Sequence, residues 1–364
     1  MPRPVRPSWR KIWLQLHLWL GLTIGAVAAL LGVTGAALVV KEPWLRLELG
    51  AMARPVDPAA APLPPDLQVQ AAQAIATGGR RLLSVAAPGS GPMPVATVLA
   101  LLTEPAGESG PRFLVATFDP ARGDLLGVRP FGDLAFAQLL DLHRALIGGP
   151  TGAGLVAVVG VVLCLSLATG AYLWWPRRPD SGRRRGFWRR RLLPSLTGPW
   201  HRQVRVLHVT AGIWLLLPLA VVAVTGTLLA RPDLIGAARR GLPLAAAAPP
   251  APDDACVAVP DAATAVRLGL AASQSGTFLG VMAAGSGWMV TTTTGMLMVD
   301  PGMLDPGCGT VTAMPRGPDL HGVMNALHGR LMLGWPGQVV AFLAGLALPV
   351  FYVTGLVIWL RRRR

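Results

Sequence analysis

Four stretches of this chain, 12–40, 145–176, 206–230 and 331–360, contain no Asp, Glu, Lys or Arg. Each is longer than the roughly 20 apolar residues that carry a helix across a bilayer. Hydrocarbon offers no water to backbone N–H and C=O groups, so such a stretch must satisfy them internally, as a helix does. Core helices of a soluble protein are the alternative reading. A chain that is 52% hydrophobic and only 14% charged lacks the polar surface to bury four of them. The first run has 29 uncharged residues, well beyond the roughly 7–15 of a signal-peptide core, and so predicts an uncleaved span.

The net charge of +15 suggests nucleic acid at first sight, but its distribution does not. Residues 1–11, the 177–205 connection and the 361–364 end together carry 18 basic residues against a single acid, Asp180. The rest of the chain holds 15 basic and 17 acidic residues. Arginine concentrated in short connections marks the cytoplasmic side of a multi-pass protein. Both termini and the 177–205 loop are therefore expected inside, and the long loops 41–140 and 231–320 outside. Cys256 and Cys308 share the second outer loop, where an oxidising compartment would permit a disulfide. Cys164 lies within the second span, and no C-x-x-C-H marks covalent haem attachment.

The chain reads as two copies of one unit. Every span ends in Thr-Gly: Thr34-Gly35, Thr169-Gly170, Thr225-Gly226 and Thr354-Gly355. His17 precedes Thr34 by 17 residues, as His208 precedes Thr225; His143 precedes Thr169 by 26, as His328 precedes Thr354. "WRKIWLQLH" parallels "WHRQVRVLH", and "LHRALIGG" parallels "LHGRLMLG". Duplication in this sense implies a pseudo-two-fold axis along the membrane normal. The Thr-Gly pairs themselves read as packing features, small residues with a hydroxyl for the bundle. Pro218 and Pro349 sit mid-span, where neighbouring helices can re-satisfy the freed carbonyls.

All six histidines fall at span ends. A single histidine there is ordinarily an interfacial, hydrogen-bonded residue. Four at matched spacing in two copies are a pattern, and ionisable residues in spans normally face the bundle interior. Histidines from facing helices can hold one haem iron between them. Topology places His17 with His208 toward the cytoplasm and His143 with His328 toward the outside. The "GGPTG" at 148–152 should break the helix after His143, leaving the outer pair on a short interfacial segment. His201 and His321 each precede a repeat histidine by seven but have no counterpart in the first copy. They remain secondary candidates, with His201 read chiefly as a solvated interfacial residue. Arg10, Arg202, Arg144 and Arg330 are placed to pair with haem propionates, although a basic rim accounts equally well for the first two.

The "LH" motifs, the four Thr-Gly span ends, "GWPGQ" after His328 and the "WLRRRR" end resemble the PepSY-associated transmembrane family over nearly the whole chain. The resemblance implies a bacterial inner-membrane protein. Some members reduce ferric siderophores with two b-type haems, and their haem ligands fall here on His17, His143, His208 and His328. Ala-, Pro- and Gly-rich outer domains are where this chain departs from the pattern.

In those domains, 66–77 and "DAATAVRLGLAA" predict helices, and Leu82–Ala86, Val95–Leu102, Arg112–Phe118, Thr277–Met282, Gly287–Thr293 and Met296–Val299 predict strands. Proline-rich 55–65 and 243–253 read as linkers. The expected architecture is a four-helix transmembrane bundle of two span–loop–span repeats with two small α+β extracytoplasmic domains. Met282, Met289, Met296, Met298 and Met303 read as packing. "GGPTGAG" is no dinucleotide fingerprint and no Walker motif occurs, so an electron donor must be external, a quinol or a cytoplasmic reductase. The expected partners are lipid and a periplasmic ferric chelate, with no nucleic acid. A siderophore or peptide transporter, and a peptidase-regulating anchor without redox activity, are the competing readings.

Overall fold

The computed structural model describes residues 8–91, 93–107, 110–176, 192–195, 197–233, 261–273, 275–285, 287–301, 309–313 and 320–362. Cys256, Cys308, Met303, the 243–253 linker and most of the 177–205 connection lie outside the described residues. The chain divides into two units: 1–40, 139–242 and 318–364 form the helical one, and 41–138 with 243–317 form the other.

Among the described residues, three helices of the first unit are long and apolar enough to cross a membrane: α1 (Trp9–Val39), α5 (Gly149–Trp174) and α10 (Gly334–Arg362). The 31 residues of α1 extend about 46 Å, ample for a hydrocarbon core of about 30 Å. The third expected span is not continuous. It is a pair, α6 (Trp200–Trp214) and α7 (Leu216–Ala230), bent by 63° at Leu215. Pro218 explains the break: it lacks an N–H, and its ring opposes the carbonyl four residues back, that of Trp214, where α6 stops.

Pro349 stands inside α10 without ending it. The carbonyl it frees belongs to Gly345, and this oxygen abuts Gly32 of α1 so closely that Gly32 has no room for a side chain. Conversely, a methyl on Gly345 would come within 2.7 Å of the Gly32 carbonyl. With Ala28, Ala36, Ala341 and Ala344 buried around them, the two glycines bring backbones into van der Waals contact. In lipid that contact, rather than water exclusion, binds helices together. The pair α5 and α7 meets similarly where Gly160 faces Thr227.

Short helices precede two of the spans. Chain order gives α2 (Lys41–Leu49), α3 (Pro65–Ala74), α4 (Ala135–Ala145), α8 (Ala262–Ala272) and α9 (Leu320–Arg330). Helix α4 ends just before the expected break, and α9 stands in the same relation to α10. Both corners use consecutive non-glycine residues in the left-handed region, Leu146 (φ 48°) and Ile147 (φ 58°), then Leu331 (φ 48°) and Met332 (φ 56°). Each such residue costs roughly 1–2 kcal/mol. The hydrogen bonds they close are the same in the two corners: Leu146 N–H donates to Leu142 and Gly148 N–H to Ala145, as Leu331 does to Leu327 and Leu333 to Arg330.

The second unit corrects one expectation. Among the described residues its strands form a single antiparallel sheet of eight, ordered β4-β3-β2-β1-β5-β6-β7-β8, rather than two separate small domains. They are β1 (Arg81–Ala86), β2 (Val98–Gly107), β3 (Gly110–Phe118), β4 (Leu125–Pro130), β5 (Phe278–Ala284), β6 (Gly287–Thr292), β7 (Gly295–Pro301) and β8 (Gly309–Ala313). The join is β1 on β5, with Val85 opposite Val281 and Ala86 opposite Gly280. Each four-stranded half alone would expose an edge of unpaired backbone groups, and pairing the two edges removes both. Helices α3 and α8 cover one face, where Val69, Ala72, Val266, Val85, Val281 and Val290 share a core. Asp261 caps α8 by accepting from Thr264 N–H at 2.7 Å.

Asp119, 1% exposed, accepts from the N–H groups of Val56 (2.6 Å), Ala121 (2.9 Å) and Arg122 (3.0 Å). Burial alone would raise its pKa, but these three donors and the Arg122 charge outweigh it and hold the carboxyl below its ordinary value.

Candidate functional site

The six histidines separate cleanly. His17 (α1), His143 (α4), His208 (α6) and His328 (α9) are partly buried and hydrogen-bonded; His201 and His321 are exposed. Among the described residues, no hydrogen bond or ring contact joins His201 or His321 to the other four. His201 lies beside Trp200, ring centroids 6.2 Å apart, and Arg361 covers the same indole at 4.8 Å.

Each of these four partly buried imidazoles meets one Thr-Gly pair. His143 Nδ1 lies 3.0 Å from Thr34 Oγ1, and His17 Nδ1 lies 3.1 Å from Thr169 Oγ1. His328 Nδ1 is 3.1 Å from Thr225 Oγ1, and His208 Nδ1 is 2.8 Å from Thr354 Oγ1. Two of the rings also donate to backbone carbonyls, His17 to Ser166 and His328 to Val222, both at 3.0 Å. The exchange is reciprocal within each half of the chain. The Thr-Gly of α1 receives the histidine before α5, and the Thr-Gly of α5 receives the histidine of α1. Helix α7 and helix α10 do the same for His328 and His208.

The glycines supply the room. A methyl on Gly35 or on Gly226 would stand 2.8 Å from Cε1 of His143 or His328. On Gly170 it would stand 3.2 Å from Cε1 of His17, and on Gly355 3.6 Å from Cε1 of His208. The Thr-Gly pairs, read from sequence as packing, thus meet the imidazoles directly. Their number, four pairs for four recurring histidines, was the available signal; which pair serves which histidine was not.

The rings also approach one another. His143 and His328 stand 6.1 Å apart, centroid to centroid, at an interplanar angle of 52°. His17 and His208 lie within electrostatic reach of each other. Among the described residues, His208 has an aromatic neighbour that His17 lacks: Phe351, three residues before Thr354, meets it edge-on at 5.5 Å. Ser166 holds the matching place before Thr169.

The helices that aim these side chains are built locally. Glu48 accepts from the N–H groups of Ala135 and Phe136, so a carboxylate caps the first turn of α4, the helix that bears His143 near its other end. Close backbone contact fixes the corners that follow, since the Ala145 carbonyl presses on Gly152 and the Arg330 carbonyl on Gly337. Of the arginines, Arg10 donates to the Leu173 carbonyl, whereas Arg144, Arg202 and Arg330 are exposed.

A family model described as the PepSY-associated TM region matches residues 14–362. The chain belongs to this family. It is a membrane protein, and the matched residues include those of the spans and those of the sheet unit. No curated protein matches it.

Proposed function

We propose that this family member is a dihaem electron carrier that moves electrons across the bacterial inner membrane to a ferric chelate outside. The observation that carries the reading is the 6.1 Å between the rings of His143 and His328. Imidazole nitrogen binds a first-row metal at about 2.0–2.1 Å, and the ring centre lies about 1.1 Å behind it, so two rings can share one metal only with centres within about 6.4 Å, a limit this pair meets. The donor set also suits iron: His143 and His328 would hold one b-type haem, and His17 and His208 a second. A haem held between two histidines supplies a one-electron Fe(III)/Fe(II) couple.

The chain's own contribution is position. His17 and Thr34 are 17 residues apart on α1, about 26 Å along its axis. Thr34 holds His143, so that rise separates the His17 level from the His143 level, nearly the thickness of the hydrocarbon core. The two-copy reading makes His17 with His208 the inner pair and His143 with His328 the outer. An external donor, a quinol or a cytoplasmic reductase, would supply electrons one at a time at the inner level, and a quinol would release two protons and reduce two ferric chelates as it becomes quinone. A ferric chelate accepts one at the outer level and becomes ferrous, which weakens its hold by hard oxygen ligands.

The test is an absorption spectrum of detergent-purified protein from haem-replete cells, before and after dithionite. A reduced b-type α-band with two haems per chain is expected. A colourless preparation overturns the proposal and leaves the transporter and anchor readings.

A further inference from the structure

We infer that the four Thr-Gly pairs are imidazole clamps, which fix the tautomer and the position of each ligand histidine before any cofactor arrives. The inference rests on the dihaem reading for what is ligated, and on the apoprotein's geometry for the clamp itself.

A threonine hydroxyl has one proton. In all four clamps it is already committed to the helix backbone. Thr34 donates to Leu30 at 2.9 Å, Thr169 to Ser166 at 2.9 Å, Thr225 to Val221 at 2.7 Å and Thr354 to Val350 at 2.7 Å. The oxygen can therefore only accept from the imidazole, so Nδ1 carries the proton. The carbonyls of Ser166 and Val222, which cannot donate, impose the same answer on His17 and His328. With Nδ1–H fixed, Nε2 keeps its lone pair, the form in which imidazole binds a metal. Anchoring of the second ring nitrogen is also what metal-bound histidines ordinarily show.

Back-bonding of threonine to its own helix is common in spans and by itself signals nothing. Packing alone gives no reason for each of these hydroxyls to meet a histidine Nδ1 at 3.1 Å or less. Nor does it explain why the following residue lacks a side chain. Cβ would meet Cε1, the carbon between the two ring nitrogens, at 2.8 Å beside His143 and His328. The glycine thus lets the ring lie against the helix while its Nδ1 reaches the hydroxyl. The clamps are graded: tight for His143 and His328, looser for His17, and loosest for His208, where Phe351 takes over part of the support.

Two measurements test this on the full-length protein. First, ¹⁵N-histidine spectra of haem-free protein in detergent report each ring's tautomer. Four Nδ1–H imidazoles are expected, and Thr354→Val should turn His208 alone into a tautomer mixture, with Thr354→Ser restoring it. Second, haem affinity should fall about 10–100-fold in Thr354→Val, the usual cost of losing such an anchor, fall less in Thr169→Val and Thr225→Val, where a carbonyl still holds Nδ1, and stay near the parent in Thr→Ser. Gly35→Ala and Gly226→Ala should lose most haem, Gly170→Ala less and Gly355→Ala least. Unchanged tautomers and affinity in Thr354→Val, or no gradient among the glycines, overturns the clamp. Four locked tautomers in a protein that binds no haem would support the clamp and sink the dihaem reading. Mixed tautomers in a haem-binding protein would do the reverse.

Discussion

The ring of His143 stands 6.1 Å from the ring of His328, although 185 positions separate them in the chain. Neither histidine belongs to a long span; each ends a short helix whose last turn opens into a left-handed corner. If the two share one metal, removing either should empty one site and spare the other. His143→Ala and His328→Ala are each expected to lose about half the haem, and the double variant no more than either single. Combining His328→Ala with His208→Ala should remove nearly all of it. Haem quantification per chain, from the reduced-minus-oxidised spectrum, reads the outcome.

The crossing of Gly32 and Gly345 makes a second prediction. Their backbones touch, so Gly345→Val must push α1 from α10, at a cost of about 1–3 kcal/mol for an overpacked contact. Gly21, with nothing within 4 Å of a built side chain, should accept alanine without loss. Unfolding of the purified variants in detergent with rising denaturant compares the two.

At the corners, strain and close approach predict opposite signs. Ile147 is 70% exposed at φ 58°. Glycine there relieves about 1–2 kcal/mol while adding about 0.4–1 kcal/mol of freedom to the unfolded chain. Ile147→Gly should therefore be neutral to slightly stabilising, and Met332→Gly should match it. Gly152→Ala should be severely destabilising, because the Ala145 carbonyl occupies the space its methyl needs. Midpoint temperatures of the three variants give the comparison.

Asp119 supplies the pH dependence of the sheet unit. Its folded pKa is depressed, so its contribution is fully present above the ordinary carboxylate pKa of about 3.9. That contribution is lost as pH falls through the lower folded value. Asp119→Asn should cost about 1–3 kcal/mol at neutral pH, since one carboxylate oxygen serves Val56 and the other Ala121 and Arg122. The variant should also lose the part of the acid-side slope of stability that Asp119 contributes, which thermal melts between pH 3 and pH 7 would show.

Much of the sheet was legible because strand alternation is a local property. Two strands were not. "LLGVRP" of β4 and "GTVTA" of β8 carry Gly, Pro and Thr in place of a clear apolar alternation, and they lie at the two ends of the sheet. Such strands are defined by the neighbour they pair with. The break at Leu215 was half legible: Pro218 marked it, but Pro349 in α10 carried the same mark and no break. In α10 the freed carbonyl lies against Gly32 of another helix, a contact that adjacent residues do not reveal.

By itself, the sequence determined four bilayer-length apolar runs, their charge asymmetry and the four recurring histidines, because hydrophobicity, charge and spacing are properties of adjacent residues. Only the tertiary structure decided that the Thr-Gly of one helix receives the histidine of another, and that two loops share one sheet. Those contacts join residues more than 100 positions apart. The close approach of an imidazole to Gly35 and to Gly226, and the pairing of β1 with β5, selected them, and no local pattern encodes either.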